Sequence, residues 1–363
     1  MKVLFIEPYP IEGPSSRYRV EQYIPYLQNQ GVKCLVRPFV SLSFYRVLYK
    51  NGFFLKKIAY FILSTLNRLG DVFIALRVDI VFIHLESYPL GPPLLECFLA
   101  ICGKKIIYDL DDAIYLGKSS LANVFLKYLK FPAKIPQIIK LSSDVITCNL
   151  FLADYASGFN KRITVIHTGL DTEKFCPRLD KPIREKLTIG WIGSHSTAIY
   201  LEQLKNVFSL LAEKYTFKLK IVGAGNHNLH IPGVEVIQLE WKLYDEIVQF
   251  QSLDIGVYPL PEEEWVLGKT GFKTIQFMSV GIPCVVSNVG TNSLIVNDGL
   301  NGFLAKTEDE WVEKLSRLME SQELRKKVGE AGRQTIIEKY SLKVNAPKFL
   351  EVLRKTYDRK HRK

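Results

Sequence analysis

The chain lacks any run of some 18 uncharged apolar residues, the minimum for a membrane-spanning helix. Its longest candidate, residues 58–67, lies between Lys57 and Arg68. No leader-like stretch precedes the first strand pattern, since Lys2 runs straight into Val3-Leu4-Phe5-Ile6, so no secretory signal is expected. Cysteine is scarce: six in 363 residues, scattered and never in a C-x-x-C pair. That argues against a disulfide or zinc framework and predicts reduced thiols buried in apolar runs of a cytosolic protein. Short repeats are missing, and no nucleic-acid module accompanies the basic residues, so no nucleic-acid partner is expected. The segment Ile221-Val-Gly-Ala-Gly225 falls short of a dinucleotide fingerprint, because Asn228 stands where the third glycine belongs and the segment follows the second strand of its half. No cofactor is expected.

What is present is a folded composition, 47% hydrophobic and 23% charged, over a length suited to two domains. The net charge of +11 is localised. Residues 1–180 carry 22 Lys+Arg against 15 Asp+Glu and residues 354–363 carry six against one, while 181–353 carry 20 against 21. Charge so placed points to an anionic partner such as a membrane surface. Residues 44–76 add a Phe/Tyr/Leu/Ile-rich stretch bracketed by cations, broken at Asn51-Gly52 into two predicted helices. Residues 113–143 hold five lysines and no acid, interleaved with Phe125, Leu126, Tyr128, Leu129 and Phe131. Basic aromatic helices of this kind lie in a headgroup interface.

Strand-like segments at 2–9, 33–39, 80–87, 105–112, 145–150 and 164–168 alternate with helical patterns at 16–30, 44–76, 92–103, 120–142 and 150–158. The pattern restarts with strands at 187–193, 218–223, 234–239, 254–259, 283–287 and 302–305 between helices at 198–214, 243–251, 271–280, 308–320, 323–339 and 343–358. Alternation of this kind predicts an α/β chain of two doubly wound parallel sheets. The expected divisions are 1–177, a linker at 178–186, a second domain at 187–342, and a final helix and basic tail at 343–363.

The order of motifs resembles the family 4 glycosyltransferases of the GT-B architecture. It rests on Ser15-Ser-Arg-Tyr-Arg19, Ile107-Tyr-Asp-Leu-Asp-Asp112, Thr168-Gly-Leu-Asp-Thr-Glu-Lys-Phe-Cys-Pro177 and Gly190-Trp-Ile-Gly-Ser194. It continues through Gly268-Lys-Thr-Gly-Phe-Lys-Thr-Ile-Gln-Phe-Met278, Gly281-Ile-Pro-Cys-Val-Val-Ser-Asn-Val-Gly290 and Asn301-Gly-Phe-Leu304. The resemblance implies two Rossmann-like domains facing a central cleft. It implies retaining, metal-independent transfer from a UDP- or GDP-type nucleotide sugar, which is a substrate and not a cofactor, to a glycan or lipid-linked acceptor. With the basic surface it implies a peripheral enzyme on the cytoplasmic face of the plasma membrane, in polysaccharide biosynthesis. The final helix is expected to cross back to the first domain. A nucleotide-sugar epimerase and a catalytically silent sugar- or nucleotide-binding subunit share the architecture and stay open as alternatives.

Particular residues fit these roles. Lys269 and Lys273 are expected on one face at the start of the 271–280 helix, where cations oppose the helix dipole unless an anion sits between them. Gly193, Ser194, His195, Ser196 and Thr197 join a strand to a helix and can offer backbone N–H groups to phosphate; Ser196 or Thr197 would also serve as an N-cap. Gly223 and Gly225 allow close approach of a base or ribose. Gln276 stands where the family carries a ribose-binding glutamate, and Gly268 where it carries another. The run Glu262-Glu-Glu264 offers replacement carboxylates or a solvated loop. Asp109 and Asp111 end a strand and share one side, in place to orient a sugar or acceptor hydroxyl; a metal role is disfavoured. Arg17 and Arg19, beside a predicted helix N-terminus, and Glu86 are acceptor-side candidates, the arginines otherwise pairing with Glu12 or Glu21. His84 and His167 read as packed residues.

Overall fold

The computed structural model describes residues 1–50, 52–117, 131–178 and 185–359. Asn51, the basic aromatic segment at 118–130, most of the expected linker and the tail at 360–363 lie outside the described residues.

Two compact units emerge, one of residues 1–168 with 345–363, the other of 169–344. In the first, six parallel strands run in the order β2-β1-β3-β4-β5-β6: β1 (Lys2–Glu7), β2 (Lys33–Pro38), β3 (Ile80–His84), β4 (Lys105–Leu110), β5 (Asp144–Thr147) and β6 (Ile163–Val165). In the second the order is β12-β11-β10-β7-β8-β9: β7 (Leu187–Ile192), β8 (Phe217–Val222), β9 (Glu235–Leu239), β10 (Ile255–Tyr258), β11 (Cys284–Ser287) and β12 (Phe303–Ala305). The central strands read as nearly unbroken apolar runs because parallel sheets are covered on both faces. Trp191 and Ile189 of β7, and Leu4 and Ile6 of β1, are fully or nearly fully buried in the two cores.

Both sheets reverse their strand order at one place, between β1 and β3 in the first and between β7 and β10 in the second. Ligands of such sheets bind outside the carboxyl ends of the strands flanking that reversal. The segments following β1, β3, β7 and β10 are therefore where side chains with chemistry matter most.

The segment Gly169–Pro177 belongs to the second unit, tied there by Arg333, whose guanidinium donates to the carbonyls of Thr172 (3.1 Å) and Phe175 (2.9 Å). The Leu342–Asp358 helix begins in the second unit and continues in the first, where Phe349 stacks on Tyr23 with ring centroids 4.7 Å apart.

Several helices differ from the periodicity reading. The expected 16–30 helix is broken into Pro14–Arg19, a 3-10 turn at Glu21–Tyr23, and Ile24–Asn29, where Pro25 restarts the chain near a helix N-terminus. Arg17 and Arg19 consequently sit in the last turn of a helix, where cations suit the dipole, not at its start. The 44–76 stretch does divide, into Leu42–Leu48 and Phe54–Ala75, with Gly52 and Phe53 both at positive φ between them. All six cysteines are free, but only Cys148 and Cys284 are buried and Cys102 is exposed.

Glu7 ends β1 fully buried. Burial, reinforced by Glu21 beside it, pushes its carboxyl up to about 9 from 4.5. The folded chain then holds one more proton than the unfolded chain between those values, so stability falls as pH rises from 4.5 to 9. Glu7→Gln removes that penalty. Its melting temperature is expected to exceed wild type at pH 8 and to converge on it near pH 4.5, with a slope of at most about 1.4 kcal/mol per pH unit. Parallel thermal melts of the two proteins across that range check this.

Candidate functional site

In the second unit, β7 ends at Ile192 and the chain turns through Gly193, whose N–H donates to the Val222 carbonyl (2.9 Å). A Cβ at Gly193 would lie 2.2 Å from the Trp191 ring and 2.9 Å from Lys273 Cε. A Cβ at Gly223, which has φ +83°, would lie 2.2 Å from the Gly193 carbonyl oxygen. The two backbones thus touch where side chains are forbidden. Gly225, at φ +64°, meets His195 in the same way, 3.1 Å from its Cβ. Ser194, Ser196 and Thr197 form a hydroxyl cluster, with Ser194 Oγ 3.0 Å from Ser196 Oγ and Thr197 Oγ1 donating to the Ser194 carbonyl (3.1 Å). The expected N-cap is not made by a side chain, and Ala198–Leu204 is 3-10 before the α-helix Lys205–Ala212 begins.

Lys273 belongs to the Phe272–Ser279 helix and projects toward this turn, its ammonium 5.3 Å from the Tyr258 ring centroid and 5.8 Å from that of Trp191. Among the described residues it has no hydrogen-bond or ion-pair partner. Burial, then the nearby charge of Lys269, push its ammonium down to about 8, with Glu246 opposing. Lys269 does not share a helix face with it. Gly271, at φ +65°, starts the helix, and Lys269 lies in the preceding turn with its ammonium 4.2 Å from the Trp265 centroid. The two cations converge through that turn and not through i,i+4 spacing.

Gln276 is buried and donates to Glu246 Oε1 (3.3 Å). The Glu246–Gln251 helix thus brings a carboxylate to Gln276. Sequence reading missed Glu246 because an acid in the first turn of a helix is explained by the dipole alone. The acidic run is engaged locally: Glu262 pairs with Lys306 (2.8 Å), Glu263 accepts from Trp265 Nε1 (2.7 Å), and Glu264 opens a short helix.

In the first unit, Ser15, Arg19, His84, Asp109 and Asp111 converge at the carboxyl ends of β1, β3 and β4. Arg19 is fully buried and grips Asp109 with both arms of its guanidinium, through Nε (3.1 Å) and Nη2. Its Nη1 donates to the Ile166 carbonyl (2.6 Å) and to Thr168 Oγ1 (3.2 Å). Its side-chain partners are Asp109 and Thr168, not Glu12 or Glu21. Burial would raise the Asp109 carboxyl, but Arg19 and the bond to His84 outweigh it and hold it below the usual carboxylate range. Asp109 is therefore ionised and accepts a hydrogen bond from His84 Nδ1–H (2.7 Å). The other ring nitrogen, Nε2, shares a hydrogen bond with Ser15 Oγ (2.5 Å). Ser15 itself is half-buried.

Asp111, partly exposed, receives Thr168 Oγ1 (3.0 Å) and stands 3.6 Å from Arg19 Nε. Burial, then the charges of Asp109 and Asp112 against the pull of Arg19 and His84, push its carboxyl up to about 6. Leu85, between His84 and Glu86, holds φ +59°, a strained conformation for a branched residue and one that collects at functional sites. Glu86 pairs with Lys134 (2.7 Å). Arg17 holds the preceding loop through the carbonyls of Ile11 (3.1 Å) and Glu12 (3.3 Å) and lies over the Tyr18 ring. His167 donates to the Cys148 carbonyl (2.9 Å), a packing role.

Comparison with known proteins gives this geometry a context. Residues 186–321, within the second unit, match the model of the family described as Glycosyl transferases group 1. The capsular polysaccharide biosynthesis glycosyltransferase CapM of Staphylococcus aureus is 24% identical, over 56% of each chain. An uncharacterised glycosyltransferase of Methanocaldococcus jannaschii is 25% identical, over 68% of this chain and 66% of its own. The matched region thus spans little more than half of the first relative and about two thirds of the second. Among solved structures, a glycosyltransferase of Rickettsia africae superposes with a TM-score of 0.72 at 18% identity, covering 99% of both chains. Anabaena HepE, solved in complex with UDP, superposes at 0.66 and 16% identity over 98% of this chain and 100% of its own. The fold is GT-B.

Proposed function

We propose that this chain is a retaining, metal-independent glycosyltransferase that moves a sugar from a UDP- or GDP-type nucleotide sugar to a glycan or lipid-linked acceptor. The observation that carries the reading is Lys273: a half-buried ammonium, without an ion-pair partner among the described residues, beside a glycine turn at the strand reversal of the unit that matches the Glycosyl transferases group 1 model.

As the glycosidic bond breaks, the leaving diphosphate gains negative charge. Lys273 and Lys269 are placed to neutralise it, the task a metal performs elsewhere. Lys269 lowers the proton affinity of Lys273, and an anion arriving between them relieves that repulsion, so the stabilisation grows with the developing charge. The backbone and hydroxyls of Gly193–Thr197 would bind the phosphates, Gly223 and Gly225 would admit the nucleoside, and Gln276 with Glu246 would meet the ribose. Ser15 and Asp111 would accept hydrogen bonds from the sugar or acceptor hydroxyls, Asp109 and Arg19 acting behind them as positioning residues.

Incubation with a panel of nucleotide sugars and a membrane lipid extract, following nucleotide release and sugar transfer, tests this. Transfer supports it. Binding without turnover would favour a silent subunit, and epimer formation without transfer would favour an epimerase.

The Asp111 carboxyl adds a pH signature. An ionised Asp111 accepts hydrogen bonds at both oxygens and carries a full charge, whereas a protonated one is a weaker acceptor with one oxygen turned donor, so turnover should fall as pH drops through about 6. Asp111→Asn is expected to lower turnover by about 10² and to erase that acid limb. A limb unchanged in the variant would assign it to another group.

A further inference from the structure

The Phe54–Ala75 helix is inside out. Its inward side buries three polar residues, Ser64, Arg68 and Asp71, along with Ala75. Arg68 donates to Asp71 Oδ2 (3.0 Å) and to the carbonyls of Arg37 (3.2 Å) and Glu7 (3.3 Å), and Arg37 Nε donates to Asp71 Oδ1 (2.7 Å). The opposite stripe, at the helical spacing of Leu55, Ile62, Leu66, Leu69 and Phe73, is apolar and exposed, from 54% at Ile62 to 80% at Leu55. The neighbouring Leu94–Ile101 helix packs against it and extends the apolar surface with Leu94 (72%) and Ile101 (85%). Contiguous apolar surface on this scale marks a docking site.

We propose that this face docks on an anionic lipid bilayer, with the helix lying in the interfacial plane. By length and composition alone the 22-residue helix is able to cross a membrane. At 1.5 Å per residue it is about 33 Å long. Crossing would tear its buried Arg68–Asp71 stripe from the carbonyls of Glu7 and Arg37, so it stays fastened to the first unit and offers one side only. Charge selects the occupant. Residues 42–77 hold six Lys+Arg against a single acid, Asp71, which is buried and paired. Arg46, Lys50, Lys56 and Arg77 are exposed around the apolar stripe. Anionic headgroups complement that ring, whereas a second copy of the same face would be repelled by it. The proposal extends the transfer reaction to a membrane-borne acceptor, and its failure would leave the donor chemistry standing.

Flotation of the full chain at low salt with phosphatidylcholine vesicles, with and without one third phosphatidylglycerol, tests it. Wild type is expected to float with the anionic vesicles. Leu66→Glu/Leu69→Glu, exposed positions whose change should leave circular dichroism and UDP binding intact, is expected to cut partitioning about tenfold or more. Lys50→Glu/Lys56→Glu should cut it too and remove its salt dependence. Failure of wild type to float overturns the proposal, as does equal flotation of the apolar double variant. A wild-type dimer that the same variant dissociates would also overturn it, by assigning the face to self-association.

Discussion

Lys273→Ala is expected to lower turnover by about 10²–10³ while leaving the fold intact. The two effects separate for a physical reason. The ammonium is held in the folded chain at a cost, since burial and Lys269 push its proton affinity down. Removing the charge relieves that cost, and no carboxylate loses an ion-pair partner among the described residues. A merely structural lysine would behave otherwise, its loss leaving a partner unsatisfied. Nucleoside without phosphate should bind wild type and variant alike, and only diphosphate-bearing ligands should tell them apart. Lys269→Ala should act in the same direction but less strongly, and should move the Lys273 titration upward by removing the neighbouring charge. Steady-state kinetics with circular dichroism of the same samples check both.

Arg19→Met should have the largest effect on stability. It leaves Asp109 ionised, fully buried and bonded only to His84, with Asp111 nearby. Removing one partner of a buried pair costs about 3–5 kcal/mol, far more than the intact pair contributes. Arg19→Lys keeps a charge but not the fork that spans both Asp109 oxygens, so an intermediate loss is expected. Arg19→Met/Asp109→Leu should recover much of it, since no bare charge remains. Urea unfolding of these variants checks the series. Each unit has its own core, so the transition of the first unit should shift and that of the second should not.

The strands were legible because each is a short apolar run between turn residues, and all twelve lie within a few residues of their expected places. Helix breaks were less so. The first expected helix is interrupted between Arg19 and Ile24, where apolar periodicity continues but the backbone at Val20, φ −125° and ψ −67°, does not. Lys269 and Lys273 were legible as a pair, though their joint placement comes from the Gly271 turn. Partners distant in sequence were not. Arg19 meets Asp109 across 90 residues, while local reading offered only Glu12 and Glu21. The outward apolar stripe escaped for a related reason: periodicity reveals that a helix has two faces, and only tertiary bonding decides which one turns in.

The central claim is that Lys273 neutralises the diphosphate of a nucleotide ligand. Calorimetric titration of wild type and Lys273→Ala with UDP, from about pH 7 to about pH 9.5, tests it most directly. Affinity of wild type should weaken as pH rises through about 8, because the free ammonium loses its proton there, and the variant should bind weakly with no such dependence. Equal affinities for UDP at pH 7 in the two proteins would contradict it.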